Sequence, residues 1–138
     1  MTEIEDIQKA LDSSFVAFGT ANAIPTILEN IDYNPTTSQP YLSSYLLMDP
    51  IDQADLGYSE RTGGIYQIDV NYRKGSGTTS LNKMADLLRS HFKVGANLSR
   101  GGICVKITGL TPQRELTVGG GWAKRPVDVE FFTYLARA

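Results

Sequence analysis

His91 and Cys104 are the only histidine and the only cysteine of the chain. Imidazole and thiolate carry much of the acid–base and nucleophilic chemistry that side chains do. A catalytic triad or a histidine-based metal site needs further partners at a positioned spacing, and one histidine supplies none. His91 stands beside Phe92 near the end of a helical pattern, where a cation favours the helix dipole. Cys104 lies between Ile103 and Val105 in a strand pattern, with no neighbour to activate it. It is expected to be buried as a small hydrophobe.

The segment Lys74-Gly75-Ser76-Gly77-Thr78-Thr79-Ser80 falls between a strand and a helix, where phosphate loops occur. It lacks the third glycine of a dinucleotide fingerprint and the Gly-Lys-Ser/Thr ending of a Walker loop, so it reads as turn chemistry. Asp49, Asp52 and Asp55 recur every third residue before Gly57 and Glu60. A calcium loop wants acids at alternate positions, so a solvated charged loop is expected there. Asp69, Asp128 and Glu130 have the types needed for paired acid–base work across a sheet, but no third partner is visible. The residues therefore predict no catalytic group, no metal site and no cofactor.

The elements that place these residues follow from periodicity. Thr2 and Glu5 form a capping-box pattern that opens a helix at about residue 3. Ile4, Ile7, Ala10, Leu11, Phe15 and Phe18 recur at helical spacing, opposite Glu5, Gln8, Lys9 and Asp12, and Gly19 is the expected stop. A second helix is predicted over about 80–93, with Leu81, Met84, Ala85, Leu88 and Phe92 as its apolar stripe. Strands are predicted over 24–29, 41–48, 65–73, 96–100, 102–108, 114–118 and 122–135. In the clearest, Tyr66, Ile68, Val70 and Tyr72 alternate with Gln67, Asp69, Asn71 and Arg73. Successive strand side chains point to opposite faces, so one face is apolar and the other polar.

The expected fold is α+β: a mostly antiparallel, twisted sheet of about six strands, with both amphipathic helices packed on one face. The other face carries Gln67, Asp69, Asn71, Asp128 and Glu130 and should meet water or another subunit. Residues 49–64 show no sustained period and read as a long loop or an extended hairpin arm, with Ile51, Leu56 and Tyr58 set among charges.

The 138 residues suit one domain spanning 1–138. A formal net charge of −2, with basic residues scattered, argues against a nucleic-acid-binding module, because phosphate neutralisation drives such binding. MTEIEDIQKA holds no apolar block, so no signal peptide is expected, and no window is long and apolar enough to span a membrane. A cytosolic, soluble protein is the expectation. Tyr33, Tyr41, Tyr45, Tyr58, Phe132 and Tyr134 exceed what the helices can cover, and such a surplus is often buried between subunits.

The order of segments resembles the tail terminator-like proteins of tailed bacteriophages over nearly the whole chain. It rests on the opening amphipathic helix, Leu28-Glu29-Asn30-Ile31-Asp32-Tyr33-Asn34-Pro35, and Pro40-Tyr41-Leu42 entering a strand. Gly64 to Tyr72, the helix end Leu88-Arg89-Ser90-His91-Phe92, and Gly121 to Phe131 continue it. The resemblance implies a subunit of a ring, usually hexameric, at the head-proximal end of the virion tail, assembled in the host cytoplasm. Such a ring caps the completed tail tube, stops its polymerisation and meets the head-completion or neck protein. DNA only passes through its lumen, without specific binding. On this expectation Gln67, Asp69, Asn71, Asp128 and Glu130 line the lumen, and Ile51, Leu56 and Tyr58 belong to an assembly arm. The competing readings are a neck adaptor of the head–tail connector and, from another class, a small enzyme using the carboxylates.

Overall fold

The computed structural model describes residues 3–31, 39–48, 52–53, 59–73, 75, 79–100, 103–118 and 121–136. The first helix, α1, runs Glu3–Ala21 and passes through Gly19 rather than stopping there. Its end is set three residues later by a Schellman arrangement. The amide of Ile24 bonds to the Gly19 carbonyl at 3.0 Å, that of Ala23 bonds to Thr20 at 3.4 Å, and Ala23 takes a left-handed φ of 53°. Gly19 serves packing instead: a Cβ there would meet Thr26 Cγ2 at 2.3 Å, so only glycine lets the returning chain lie this close.

Strand β1 is Thr26–Ile27, shorter than the predicted 24–29, and β2 is Tyr41–Met48. Asp52–Gln53 forms β3, and β4 runs Ser59–Arg73, beginning six residues before the expected Ile65. β3 pairs antiparallel with β4, Asp52 opposite Arg61, so this part of the 49–64 segment is a hairpin. Helix α2 is Thr79–His91. β5 (Asn97–Arg100), β6 (Ile103–Pro112), β7 (Leu116–Val118) and β8 (Trp122–Ala136) complete the chain.

The strands form one sheet in the order β1-β2-β4-β8-β6-β5, with β3 on β4 and β7 on β8 off that path. The α+β class and the six-strand path agree with expectation. The sheet itself is mixed and curled rather than a plain antiparallel twist, because β1 runs parallel to β2. A parallel neighbour requires a crossover, which falls between Ile27 and Tyr41. A register shift between Ile107 and Gly109, where β6 meets β8, adds local bend.

One apolar cluster joins both helices to one sheet face. Ile7, Leu11, Phe15 and Phe18 of α1 and Leu81, Ala85 and Leu88 of α2 pack with Tyr66, Ile68, Val70, Val105, Ile107, Val127 and Val129. Burial of these side chains from water is the dominant favourable term. Two residues of α1 depart from the expected stripe. Ile4 is exposed near the helix start. Asp12, expected in solvent, instead accepts a hydrogen bond from the Tyr66 hydroxyl at the flank of the core.

That pairing has a pH consequence. Burial raises the Asp12 pKa above the ordinary carboxylate range, opposed by the Tyr66 hydrogen bond and reinforced by the charge of Glu29. Burial, with the Asp12 bond behind it, also raises the Tyr66 hydroxyl well above its usual value. A carboxyl with a raised folded pKa binds more protons folded than unfolded. Its stability contribution is therefore complete below the unfolded value of about 3.9 and is lost as pH rises through the folded value. Asp12→Asn is expected to remove this loss, so denaturant melts of the two proteins should diverge progressively from about pH 4 upward. A difference between the two that stays constant across that window would contradict the assignment.

Candidate assembly surface

The sheet face turned away from the helices is built by strand alternation in three neighbouring strands. On it Tyr41, Ser43, Tyr45 and Leu47 of β2 stand opposite Asn71, Asp69, Gln67 and Ile65 of β4. Those in turn stand opposite Lys124, Pro126, Asp128 and Glu130 of β8. The register thus brings Gln67, Asp69, Asn71, Asp128 and Glu130 to one face, as alternation predicts.

The face is not uniformly wet, which corrects the expectation that all five meet water or another subunit. Asp69 is only 2% exposed and Asn71 only 5%. Gln67 and Asp128 are half-buried, and Glu130 is exposed. The physical reason is lateral pairing. Gln67 Nε2 donates to Asp69 Oδ1 at 2.8 Å, and Lys124 Nζ lies 3.5 Å from Asp69 Oδ2. Asn71 Nδ2 donates to the Asp69 carbonyl at 3.1 Å and to the Tyr41 carbonyl and Ser43 Oγ at 3.3 Å. A buried carboxylate must be paired, and this one is. Farther along, Gln113 Nε2 donates to Asp128 Oδ2 at 2.7 Å, while Asp128 Oδ1 is buried with no partner among the described residues.

One end of the face is closed by aromatics. The Arg73 guanidinium sits 4.5 Å over the Trp122 ring, and Tyr41 meets Trp122 edge-on at 5.2 Å. Beside it the segment Ile27–Ile31 and β2 border an open cleft of about 260 Å³ that reaches Asp69, Asn71 and Lys124. Toward the other end Tyr45 and Leu47 are exposed, as is Ile31 on the rim of the cleft. Glu29 crosses to the strand edge, where its carboxylate accepts the Leu46 amide at 2.8 Å.

The lone chemical groups resolve differently. His91 Nε2 lies 2.9 Å from both Ser14 Oγ and the Ser14 carbonyl, between the Phe18 and Phe92 rings. It ties the end of α2 to α1. Cys104 is exposed, not buried, because Ile103, Val105 and Ile107 take the core side of β6 and leave it on the other. Among the described residues no group of three or more His, Cys, Asp and Glu is placed to hold a metal ion. Among the described residues no helix is long and apolar enough to cross a membrane. The arm residues Ile51, Leu56 and Tyr58 lie outside the described residues, as do Thr2, Lys74, Asp49, Asp55 and Gly57.

Sequence reasoning missed the parts played by Lys124, Glu29, Trp122 and Arg73. Lys124 and Asp69 stand 55 residues apart and meet only through the β4–β8 register. The adjacent basic pair Lys124-Arg125 was the one available signal. Alternation sends its two members to opposite faces, and Arg125 Nε bonds to the Gln113 carbonyl at 2.9 Å.

Comparison with known proteins adds to this geometry. Among solved structures, one chain with no stated function superposes with a TM-score of 0.69 at 20% identity, covering 95% of this chain and 98% of that one. A chain from the virion of a native gene transfer agent particle superposes with a TM-score of 0.55 at 18% identity, covering 99% and 98%. At such identities both speak for the fold. No curated protein matches. The family model described as phage tail terminator protein matches residues 6–131, from the first turns of α1 to Phe131 in β8. That match takes in every residue named on the polar face, and the chain belongs to the phage tail terminator protein family.

Proposed function

We propose that this chain is a non-catalytic structural protein of the virion. It acts as one tail terminator-like domain over residues 1–138, whose copies form a ring, hexameric by family resemblance. The ring caps the completed tail tube at its head-proximal end, stops tube polymerisation and offers the surface on which the head-completion or neck protein docks. Assembly takes place in the host cytoplasm. The observation that carries this reading is the family match over residues 6–131, on a fold whose polar sheet face neither helix covers.

In that ring the polar face lines the lumen. Glu130, Gln67 and Asp128 face the passing DNA, while Asp69 and Asn71 lie beneath as the hydrogen-bonded floor that holds the face rigid. Acidic and neutral groups neutralise no phosphates, and Lys124 on the same face is paired with Asp69, so DNA slides with little adhesion. Ile51, Leu56 and Tyr58 form the assembly arm toward the tube or a neighbouring copy. The folding-back of β3 on β4 supports a hairpin there.

Adding the purified chain to polymerising tube protein tests the reading. Tubes should stop growing and carry a ring at one end in electron micrographs. Unchanged tube growth with bare ends would overturn it, and a chain found only on the neck would favour the neck adaptor instead. In the same system, particles carrying Gln67→Lys with Glu130→Lys should still form rings but eject DNA more slowly. Ejection at the unaltered rate would sink the lumen placement.

A further inference from the structure

The two ends of the sheet are protected differently. A strand edge flanked by exposed apolar side chains is a template for a strand from another copy. β5, the last strand at one end, is four residues long and exposes Asn97, Ser99 and Arg100, so shortness and polarity protect it. β2, next to the other end, is eight residues long and exposes Tyr45 and Leu47. β1 pairs with it only at Leu42 and Ser43.

The outward amides of β2 mark where that cover changes from backbone to side chain. The Leu42 amide bonds to the Pro25 carbonyl at 2.9 Å. The parallel register, with Ile27 opposite Ser43, gives the Ser44 amide to the Ile27 carbonyl. Two residues farther along each strand, the same ladder would give the Leu46 amide to the carbonyl of residue 29. The backbone has already turned away, because the Ile31 amide bonds back to the Leu28 carbonyl at 3.2 Å and Asn30 takes a left-handed φ of 65°. The side chain of that same residue acts instead: the Glu29 carboxylate accepts the Leu46 amide at 2.8 Å. We propose that Glu29 is a latch, which closes the β2 edge where β1 ends and so keeps a second copy of this chain from adding a strand there. A carboxylate suits the task. Its bond to an amide is charge-assisted, and an incoming strand would have to displace that bond and desolvate the charge. Glu29 is itself exposed, so the core does not depend on it. Without it the Leu46 amide would stand open, flanked by exposed Tyr45 and Leu47. The inference goes beyond the ring reading and does not depend on it.

Glu29→Ala and Glu29→Gln test the latch. In dilute protein, hydrogen exchange at the Leu46 amide should be about tenfold faster or more in Glu29→Ala, the loss expected for one charge-assisted bond. Glu29→Gln should stay close to the wild type, since its carboxamide oxygen still accepts the amide. In concentrated Glu29→Ala, sedimentation should show species larger than any the wild type forms, and protection of the Leu46 amide should return as strands of two copies pair. Leu47→Lys added to Glu29→Ala should abolish both effects, because it charges the exposed side of the same edge. Glu29→Ser, with a hydroxyl too short to reach Leu46, takes the place of Glu29→Ala should that variant fail to fold by circular dichroism. A Leu46 amide that exchanges no faster without Glu29, or faster exchange with no added association, would overturn the latch. So would a Glu29→Gln variant that associates as Glu29→Ala does, or association that Leu47→Lys leaves unchanged. None of these outcomes bears on the capping of tubes, which the tube-growth experiment decides separately.

Discussion

Phe15→Ala is expected to lower the free energy of unfolding by about 3–5 kcal/mol. Phe15 is fully buried on the inner face of α1, and its ring meets Tyr66 edge-on at 6.0 Å. Removing it leaves a hole between α1 and β4 that the surrounding strands cannot close, because their positions are fixed by pairing on both sides. The lost transfer energy and the cavity then add. Domains of this size are stable by only about 5–15 kcal/mol, so this one change removes a large share. Val16→Ala is the internal control: it stands next along the same helix but is exposed, and should shift stability by no more than about 0.5 kcal/mol. Urea denaturation of the two variants decides the matter. A Phe15→Ala effect no larger than that of Val16→Ala would contradict the packing described.

Gly64→Ala should be the most damaging added methyl among the described glycines. A Cβ at Gly64 would lie 2.1 Å from the Leu47 carbonyl oxygen and 3.0 Å from Met48 Cα, both backbone atoms with nowhere to retreat. The residue also holds a φ of +155°, which an L side chain rarely adopts. Overpacking and backbone strain together cost roughly 2–6 kcal/mol. The alternative to that cost is separation of β2 from β4 at the Met48–Gly64 pair, which would displace the strand edge carrying Leu47. Gly109→Ala serves as the comparison, since its Cβ would meet only the flexible end of Glu130 at 3.4 Å. Thermal melting should show a large drop for the first and little change for the second. Equal tolerance of the two would mean that the β2–β4 approach is looser than described.

Periodicity by itself determined which side chains share a face. The alternation of Tyr66, Ile68 and Val70 with Gln67, Asp69 and Asn71 follows from the geometry of a strand, whatever its neighbours. The helical stripes of α1 and α2 were legible for the same reason, and with them the α+β class and the burial of Ile7, Leu11, Phe15, Leu81 and Leu88. The ordered set of segments from Leu28 to Phe131 was enough to point to the family.

What periodicity cannot carry is which element lies beside which. Asp69 was assigned correctly to the polar face, yet its burial depends on Lys124 arriving through the β4–β8 register. Helical spacing sets Asp12 opposite the apolar stripe, a solvated position by pattern, and only the height of Tyr66 beneath the helix makes it a partner. Gly19 looked like a stop, but its role is to let Thr26 approach the helix. The parallel β1–β2 pair, and with it the edge that ends at Ser43, was equally invisible, since two residues of strand leave no pattern to read. Side-chain direction is a local property of the backbone. Pairing, burial and open edges are set by residues tens of positions away, and these only the tertiary structure decided.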